Sequence, residues 1–384
     1  MNRQDKAMRH IGPSGSSRPW LIALPTVGLV LLALGWSGFW YFSAGKAQAS
    51  LDEWRSRETS AGRVYRCDEE SFGGYPFRIE LECRNPLVED RGTATTLRAG
   101  DLKAVAQVWD PTLLIGEISG PMTVAPLGGE PTMTMKWTLA QASLRGLPVA
   151  SQRVSFVVDK PGFATSDGSA LASADHMEFH VRRNPDSTLE HPALDFALDF
   201  THFTSSSMGS YAAAPTDAHV VGVLRGLGDF SPKPVAARLR ELQAANGRFE
   251  LTNARFQQGD LITTAVGAVT LTPRGTLNGE IHLTVINFGK LLQVLGLDRM
   301  IAQLMPQGSI DKLAPGLDRL MPGLGNMLRG NTGAGGGAAA LGAAAVGGQQ
   351  TELEGQRAMT LLLRLADGVA YLGPIKIGQI PPLY

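Results

Sequence analysis

The chain has 384 residues, with 35 basic side chains, 35 acidic side chains and a formal net charge of zero. Because nucleic-acid-binding domains usually carry a strongly basic surface, this balance gives no support for nucleic acid as a partner. Charged residues make up only 18% of the chain, and its 45 glycines and 23 prolines favour a body with many turns.

The first predicted element is a membrane anchor at residues 20–42, preceded by a short cytosolic tail at 1–19. The anchor has no charged residue, ends in a cluster of aromatic residues, and is long enough to cross a bilayer as a helix. A cleaved signal peptide is the alternative, with Ala47-Gln48-Ala49 as its cleavage site. The apolar stretch is longer than a signal-peptide core, which favours a retained anchor.

The charges around this segment predict its orientation. Arg3, Lys6, Arg9 and Arg18 precede it, whereas the basic residues that follow are mixed with acidic ones. Positive charge tends to stay in the cytoplasm, so we expect a single-pass inner-membrane protein with a cytoplasmic N-terminus and a periplasmic body. Residues 43–62 are predicted to form a juxtamembrane helix.

Residues 63–329 are predicted to form a β-rich periplasmic body. Ile79, Leu81 and Cys83 alternate with charged residues, which is typical of a strand with one apolar face. Similar alternation recurs at 133–139, 154–158, 177–181, 194–200, 281–285 and 361–365. We therefore predict a mainly β fold with a few helices, built as a large twisted antiparallel sheet. Whether the sheet is an open, curled trough or a filled sandwich stays open.

Two helical regions interrupt the strands, at 233–246 and 288–328. The second carries an apolar stripe at three- and four-residue spacing, formed by Leu313, Leu317, Leu320, Leu324 and Met327. This stripe is interpreted as core, as a cover over an apolar groove, or as a surface that touches the membrane. A Gly/Ala-rich flexible loop at 330–356 and a final β-segment at 357–384 complete the chain.

The two cysteines flank a predicted turn. If the chain reverses near Tyr75, Cys67 and Cys83 lie opposite each other, close to the spacing that a disulfide needs. An even, sparse cysteine count in an exported domain fits one such bond, and two buried free thiols are the alternative.

The turn itself combines residues that reverse a chain with residues that recognise partners. It consists of Gly73, Gly74, Tyr75, Pro76, Phe77 and Arg78. The glycines permit positive φ and the proline restricts its neighbour, which predicts a structural turn. A recognition loop that uses the aromatic and basic side chains is the alternative.

No residue pattern predicts catalysis, a metal or a cofactor. His176 and His180 bracket Glu178, but on a strand the two histidines lie roughly 13 Å apart, too far for one zinc ion. The same arithmetic argues against Asp195 and Asp199 as a glycosidase pair. We therefore predict that the protein is not an enzyme.

Three stretches resemble the bacterial domain-of-unknown-function family 2125. They are GGYPFRIELEC after the N-terminal span, WTLAQASLRGLP at 137–148, and Leu372-Gly373-Pro374-Ile375 with Pro381-Pro382. The resemblance implies a membrane-anchored periplasmic protein without an assigned activity. The β-rich pattern also resembles AsmA-type envelope proteins, in which a curled sheet lines an apolar trough used for lipids.

Three functional hypotheses follow. The first is a protein that binds lipid or another hydrophobic ligand on the apolar face of the sheet, in envelope maintenance. The second is a non-enzymatic scaffold whose loops bind other envelope proteins. The third is a hydrolase with an unrecognised site, which lacks support because the chain has no nucleophile–base signature.

Overall fold

The computed structural model describes residues 19–146, 152–188, 190, 192–206, 214–229, 233–294 and 347–384. These residues form three helices, α1 (Pro19–Ser60), α2 (Val235–Ala244) and α3 (Phe288–Val294). They also form 23 strands, which are in chain order β1 Arg63–Arg66, β2 Glu69–Gly73, β3 Arg78–Arg84, β4 Leu87–Asp90, β5 Thr95–Arg98, β6 Leu102–Gln107, β7 Asp110–Ile118, β8 Met122–Pro126, β9 Met133–Lys136, β10 Leu139–Arg145, β11 Arg153–Asp159, β12 Gly162–Thr165, β13 Ala170–Ser173, β14 His176–Arg183, β15 Ala193–Ser205, β16 Thr216–Arg225, β17 Arg248–Gln258, β18 Leu261–Leu271, β19 Leu277–Ile286, β20 Gln349–Leu353, β21 Gln356–Ala366, β22 Val369–Leu372 and β23 Ile375–Gln379.

Helix α1 joins the predicted anchor and the predicted juxtamembrane helix into one continuous element. It has 42 residues, so at 1.5 Å per residue it is roughly 63 Å long. It ends where Gly62 adopts a φ of +87°, a conformation that glycine reaches without a steric cost. Among the described helices, α1 alone is long and apolar enough to cross a membrane.

The first fourteen strands are the halves of seven bent strands. One half of each bent strand belongs to a ladder in the order β1-β4-β5-β8-β9-β12-β13, and the other half belongs to the ladder β2-β3-β6-β7-β10-β11-β14. Strand β15 pairs with the last strand of both ladders. The result is one antiparallel sheet with a crease across its first seven strands.

The crease has a local chemical cause. Several bends contain a proline, which removes a ladder donor, or a residue with positive φ, which turns the strand. Asn85 and Lys160 have φ of 48° and 50°, and each precedes a proline. Hydrogen bonds still link neighbouring bends, for example from the Lys160 amide to the Asp175 carbonyl at 2.8 Å. The bends therefore lie side by side.

Beyond β15 the second ladder continues through β16, β17, β18, β19, β21, β22 and β23. All of these pairings are antiparallel, as predicted, and the sheet does not close into a barrel.

Two predicted boundaries change. The predicted loop at 330–356 is too long, because β20 pairs with β21 across a two-residue turn in which Glu354 and Gly355 both have positive φ. The predicted helix at 233–246 corresponds to α2. Of the predicted helical region 288–328, α3 accounts for the first seven residues, and the stripe from Leu313 to Met327 lies outside the described residues.

Candidate functional site

One face of the sheet carries two adjacent, unbroken rows of apolar residues. Each row is a series of direct cross-strand partners. The first row consists of Ile79, Ala106, Leu114, Leu144, Val154, Val181, Phe196, Gly222, Leu251, Gly267, Ile281, Leu363 and Leu372. The second consists of Phe72, Leu81, Ala104, Gly116, Ala142, Phe156, Phe179, Leu198, Val220, Ala254, Ala265, Leu283 and Leu361. We call this surface the apolar face.

The opposite face carries a mostly polar row along the same strands. Next to the second apolar row, on the side away from the first, runs a row of side chains that point the other way, since successive residues of a strand alternate between faces. In strand order its members are Glu82, Lys103, Glu117, Gln141, Val157, Glu178, Asp199, His219, Arg255, Thr264, Thr284 and Thr360. The alternation predicted for single strands therefore continues from strand to strand, as apolar rows on one face and this mostly polar row on the other.

Helix α1 covers the apolar face at one end of the sheet. The Trp40 side chain is buried against Ile79 and Phe72, and its indole N–H donates to the Arg78 carbonyl at 2.8 Å. Nearer the end of the helix, the Trp54 ring lies 4.6 Å from the Tyr65 ring. This half of α1 is therefore part of the folded body.

Helix α3 covers the apolar face at the other end. Phe288 and Leu292 pack against Val285, Leu361 and Leu372, and together these residues form the largest described cluster of buried apolar side chains. Helices α1 and α3 thus cover the two ends of the apolar face.

The middle of the apolar face is open among the described residues. Phe156 and Phe179 are direct cross-strand partners, and their side chains are 45% and 39% exposed. Phe249 and Phe256 on β17 are also exposed. The open stretch from β7 to β17 includes seven strands, which at about 4.8 Å per strand gives a surface roughly 30 Å wide.

The structure contains the predicted disulfide, but the geometry expected for it was wrong. Cys67 and Cys83 are bonded with their Cα atoms 5.4 Å apart. However, the cross-strand partner of Cys83 is Glu70, which follows Cys67 by three residues. Cys67 lies in the bend between β1 and β2, outside the β2–β3 pairing, and it reaches Cys83 from this bend. The bond therefore ties the crease to β3.

The predicted turn residues connect β2 and β3, and they contact α1. Gly74 has a φ of +95°, and the Pro76 carbonyl accepts a hydrogen bond from the Trp36 indole N–H at 2.8 Å. Beside this turn lies the turn between β6 and β7, where Trp109 is exposed. Sequence reasoning missed Trp109, although a tryptophan in a short connection between two apolar strands was a usable signal.

A chain of hydrogen bonds runs along the polar face at the histidines that bracket Glu178. His176 contacts Asp159 at 2.6 Å through Nδ1 and Glu178 at 2.7 Å through Nε2. The other Glu178 oxygen lies 2.7 Å from His180 Nε2. Hydrogen bonds that Glu178 and then Asp159 accept from the ring raise the pKa of His176, and the bonds that His176 and then His180 donate lower the pKa of Glu178.

These shifts predict how stability depends on pH. The folded-state pKa of His176 lies above its unfolded value of about 6.5, so its contribution is complete below that pH and is lost as pH rises through the raised pKa. The contribution of Glu178 is present above its unfolded pKa and is lost as pH falls through the lowered one. We expect His176→Gln to reduce the denaturation midpoint more at pH 6 than at pH 9. An equal loss at both values would contradict this reading.

No group of three or more His, Cys, Asp or Glu side chains in the described part of the chain is arranged to hold a metal ion. The two aspartates considered as a pair have separate partners. Asp195 accepts a hydrogen bond from Arg182 Nε at 2.9 Å, and Asp199 contacts His219. Each aspartate therefore contacts a basic side chain of a neighbouring strand.

Comparison with known proteins identifies a family and nothing more specific. Residues 40–381 match the family described as "Uncharacterized protein conserved in bacteria (DUF2125)". No curated protein and no solved structure matches the chain, so the resemblance to AsmA-type proteins gains no support from these comparisons. Because the match begins at Trp40 and extends through β23, it includes both the half of α1 that packs on the body and the sheet. The chain belongs to this bacterial family of uncharacterized proteins.

Proposed function

We propose that this protein is a non-enzymatic component of the bacterial envelope that holds the acyl chain of a lipid on its apolar face. Helix α1 anchors it in the inner membrane, with its N-terminus in the cytoplasm and its body in the periplasm. The observation that carries the proposal is the pair of unbroken apolar rows whose middle is exposed among the described residues.

The size of the apolar face suits an acyl chain. The open stretch is roughly 30 Å wide, whereas one leaflet of a bilayer has a hydrocarbon thickness of about 15 Å. Burial of each methylene is worth about 0.8 kcal/mol, so about ten methylenes would contribute roughly 8 kcal/mol before the cost of ordering the chain. Exposed apolar surface of this extent usually marks a binding site.

The remaining features support the location. The apolar side chains of α1 between Leu24 and Leu34 are exposed, which a bilayer would cover. The Cys67–Cys83 bond fits an oxidising compartment such as the periplasm. Basic residues precede α1, in agreement with a cytoplasmic N-terminus.

Site-specific photo-cross-linking tests the proposal on the full chain in its native membrane. The photoreactive residue p-benzoylphenylalanine replaces Phe156 on the apolar face or, as the control, Ile115 on the opposite face. The two positions are matched in exposure, at 45% and 46%. We expect lipid adducts, identified by mass spectrometry, at position 156 and not at position 115.

A charge on the apolar face should then remove the adduct. Phe179→Glu places a carboxylate directly opposite position 156, and an acyl chain cannot solvate that charge. We expect the adduct yield to fall about tenfold, which corresponds to about 1.4 kcal/mol. Equal yields at positions 156 and 115, or protein adducts alone at position 156, would overturn lipid binding, and the second result would favour the scaffold function.

A further inference from the structure

Two turns of the sheet meet the membrane-spanning part of α1. One is the β2–β3 turn with Tyr75 and Phe77, and the other is the β6–β7 turn with Trp109. The Val108 amide donates to the Phe77 carbonyl at 3.2 Å, and the rings of Phe77 and Trp109 lie 6.4 Å apart. We call these three exposed side chains the aromatic tips.

Hydrogen bonds fix the aromatic tips at a defined level of α1. The Trp36 indole N–H donates to the Pro76 carbonyl, and the hydroxyls of Ser37 and Tyr75 lie 2.8 Å apart. The Trp36 ring also lies 6.2 Å from the Phe77 ring. Since α1 is continuous, this level is set relative to the apolar segment that precedes Trp36.

Between the tips and the helix lies a cleft with a volume of about 690 Å³. The helix contributes Leu29, Leu32, Ala33 and Trp36 to it, and none of the residues that line it is charged. Leu29 precedes Trp36 by seven residues, so the cleft extends about 10 Å along the span. It therefore faces the region that the hydrocarbon core would occupy.

Charged residues mark the edge of this surface. Arg78 and Asp110 directly follow the two turns, and they form ion pairs with Glu80 at 2.9 Å and with Arg145 at 3.6 Å. Tyr75, Phe77 and Trp109 are 53%, 59% and 58% exposed. Aromatic side chains beyond a charged boundary are typical of a surface that sits in the headgroup and upper acyl region.

We propose that the aromatic tips insert into the leaflet on the body side and that the cleft holds an acyl chain of that leaflet. The proposal rests on the membrane anchoring in the proposed function, but it does not depend on cargo at the apolar face. Trp40, Ile79 and Val108 are buried together immediately beside the cleft. This cluster separates the cleft from the open part of the sheet, so the two are different sites.

The test measures the depth of a spin label in bilayers of phosphatidylethanolamine and phosphatidylglycerol. Both native cysteines are disulfide-bonded, so Trp109→Cys gives a single labelling site. Leu127→Cys is the control, because Leu127 is an exposed apolar residue at the other end of the same bent strand. Collisions with oxygen report the bilayer interior, and collisions with a water-soluble nickel chelate report the aqueous phase.

We expect oxygen collisions to dominate at residue 109 and nickel-chelate collisions to dominate at residue 127. Phe77→Cys should behave like Trp109→Cys, which guards against a local effect of losing Trp109. Aqueous accessibility at both tip positions would overturn the proposal, as would tips shielded from both reagents, since a protein would then cover them. Adding Phe179→Glu should leave the label depth unchanged, so failure at the apolar face is distinguishable from failure at the tips.

Discussion

Replacing Trp40 by alanine should detach the second half of α1 from the sheet and lower the free energy of unfolding by about 3–5 kcal/mol, the usual cost of truncating a buried tryptophan. The side chain is only 6% exposed. It fills the space above Ile79 and Phe72, and it also donates a hydrogen bond to the Arg78 carbonyl. Its loss leaves a cavity and an unpaired carbonyl at the same place.

Denaturant unfolding of the full chain in mild detergent measures this effect, with Phe42→Ala as the control. Phe42 is an aromatic residue of the same helix that is 65% exposed, so its truncation should change stability by less than about 0.5 kcal/mol. Hydrogen exchange of the β2 and β3 amides should accelerate in Trp40→Ala only. Unchanged exchange there would mean that α1 does not stabilise the first hairpin.

Removal of the disulfide should have the second-largest effect. Cys67 and Cys83 are separated by 16 residues, and closing a loop of that length stabilises a fold by roughly 3 kcal/mol through the unfolded chain. The bond also holds the first bend against β3, next to the cluster that contacts α1. We expect the double variant Cys67→Ala, Cys83→Ala to unfold at a clearly lower denaturant concentration than the oxidised protein.

A reductant separates the cross-link from the packing of the two side chains. Cys83 is buried, so its truncation alone costs some stability. Wild-type protein unfolded and refolded with dithiothreitol should therefore lose most, but not all, of the stability that the double variant loses. If dithiothreitol leaves the midpoint of the wild-type protein unchanged, the bond does not contribute to stability.

Individual strands could be predicted from the sequence because period-two alternation is local. The runs around Phe156, Phe179 and Leu283 were predicted as strands with one apolar face, and the structure places all three on one row. The run at 133–139 shows the limit of this reasoning. Its apolar alternation continues across the bend at Trp137 and Thr138. Beyond the bend, however, Leu139 pairs with Asp159, which in turn pairs with His176, so Leu139 lies on the face opposite the apolar face. A bend can therefore move an apolar residue to the other face of the sheet, although the alternation along the sequence is unbroken.

Contacts between distant segments were not predictable. The aromatic residues at the end of the predicted anchor suit the interface of a membrane, yet Trp40 is buried against Ile79 and Val108 in the body. The same residue type suits both environments, because an indole offers a large apolar surface and one N–H donor. Only the position of the β2–β3 turn beside α1 distinguishes them.

By itself, the sequence determined that an uncharged helix precedes a mainly antiparallel β-body and that its strands have one apolar side. These properties depend on hydropathy and period along a single segment. The tertiary structure decided that the apolar sides join into two unbroken rows, that helices cover only their ends among the described residues, and that the disulfide forms across a bend. Those features depend on register and on helix docking, which are set by contacts between residues far apart in the chain.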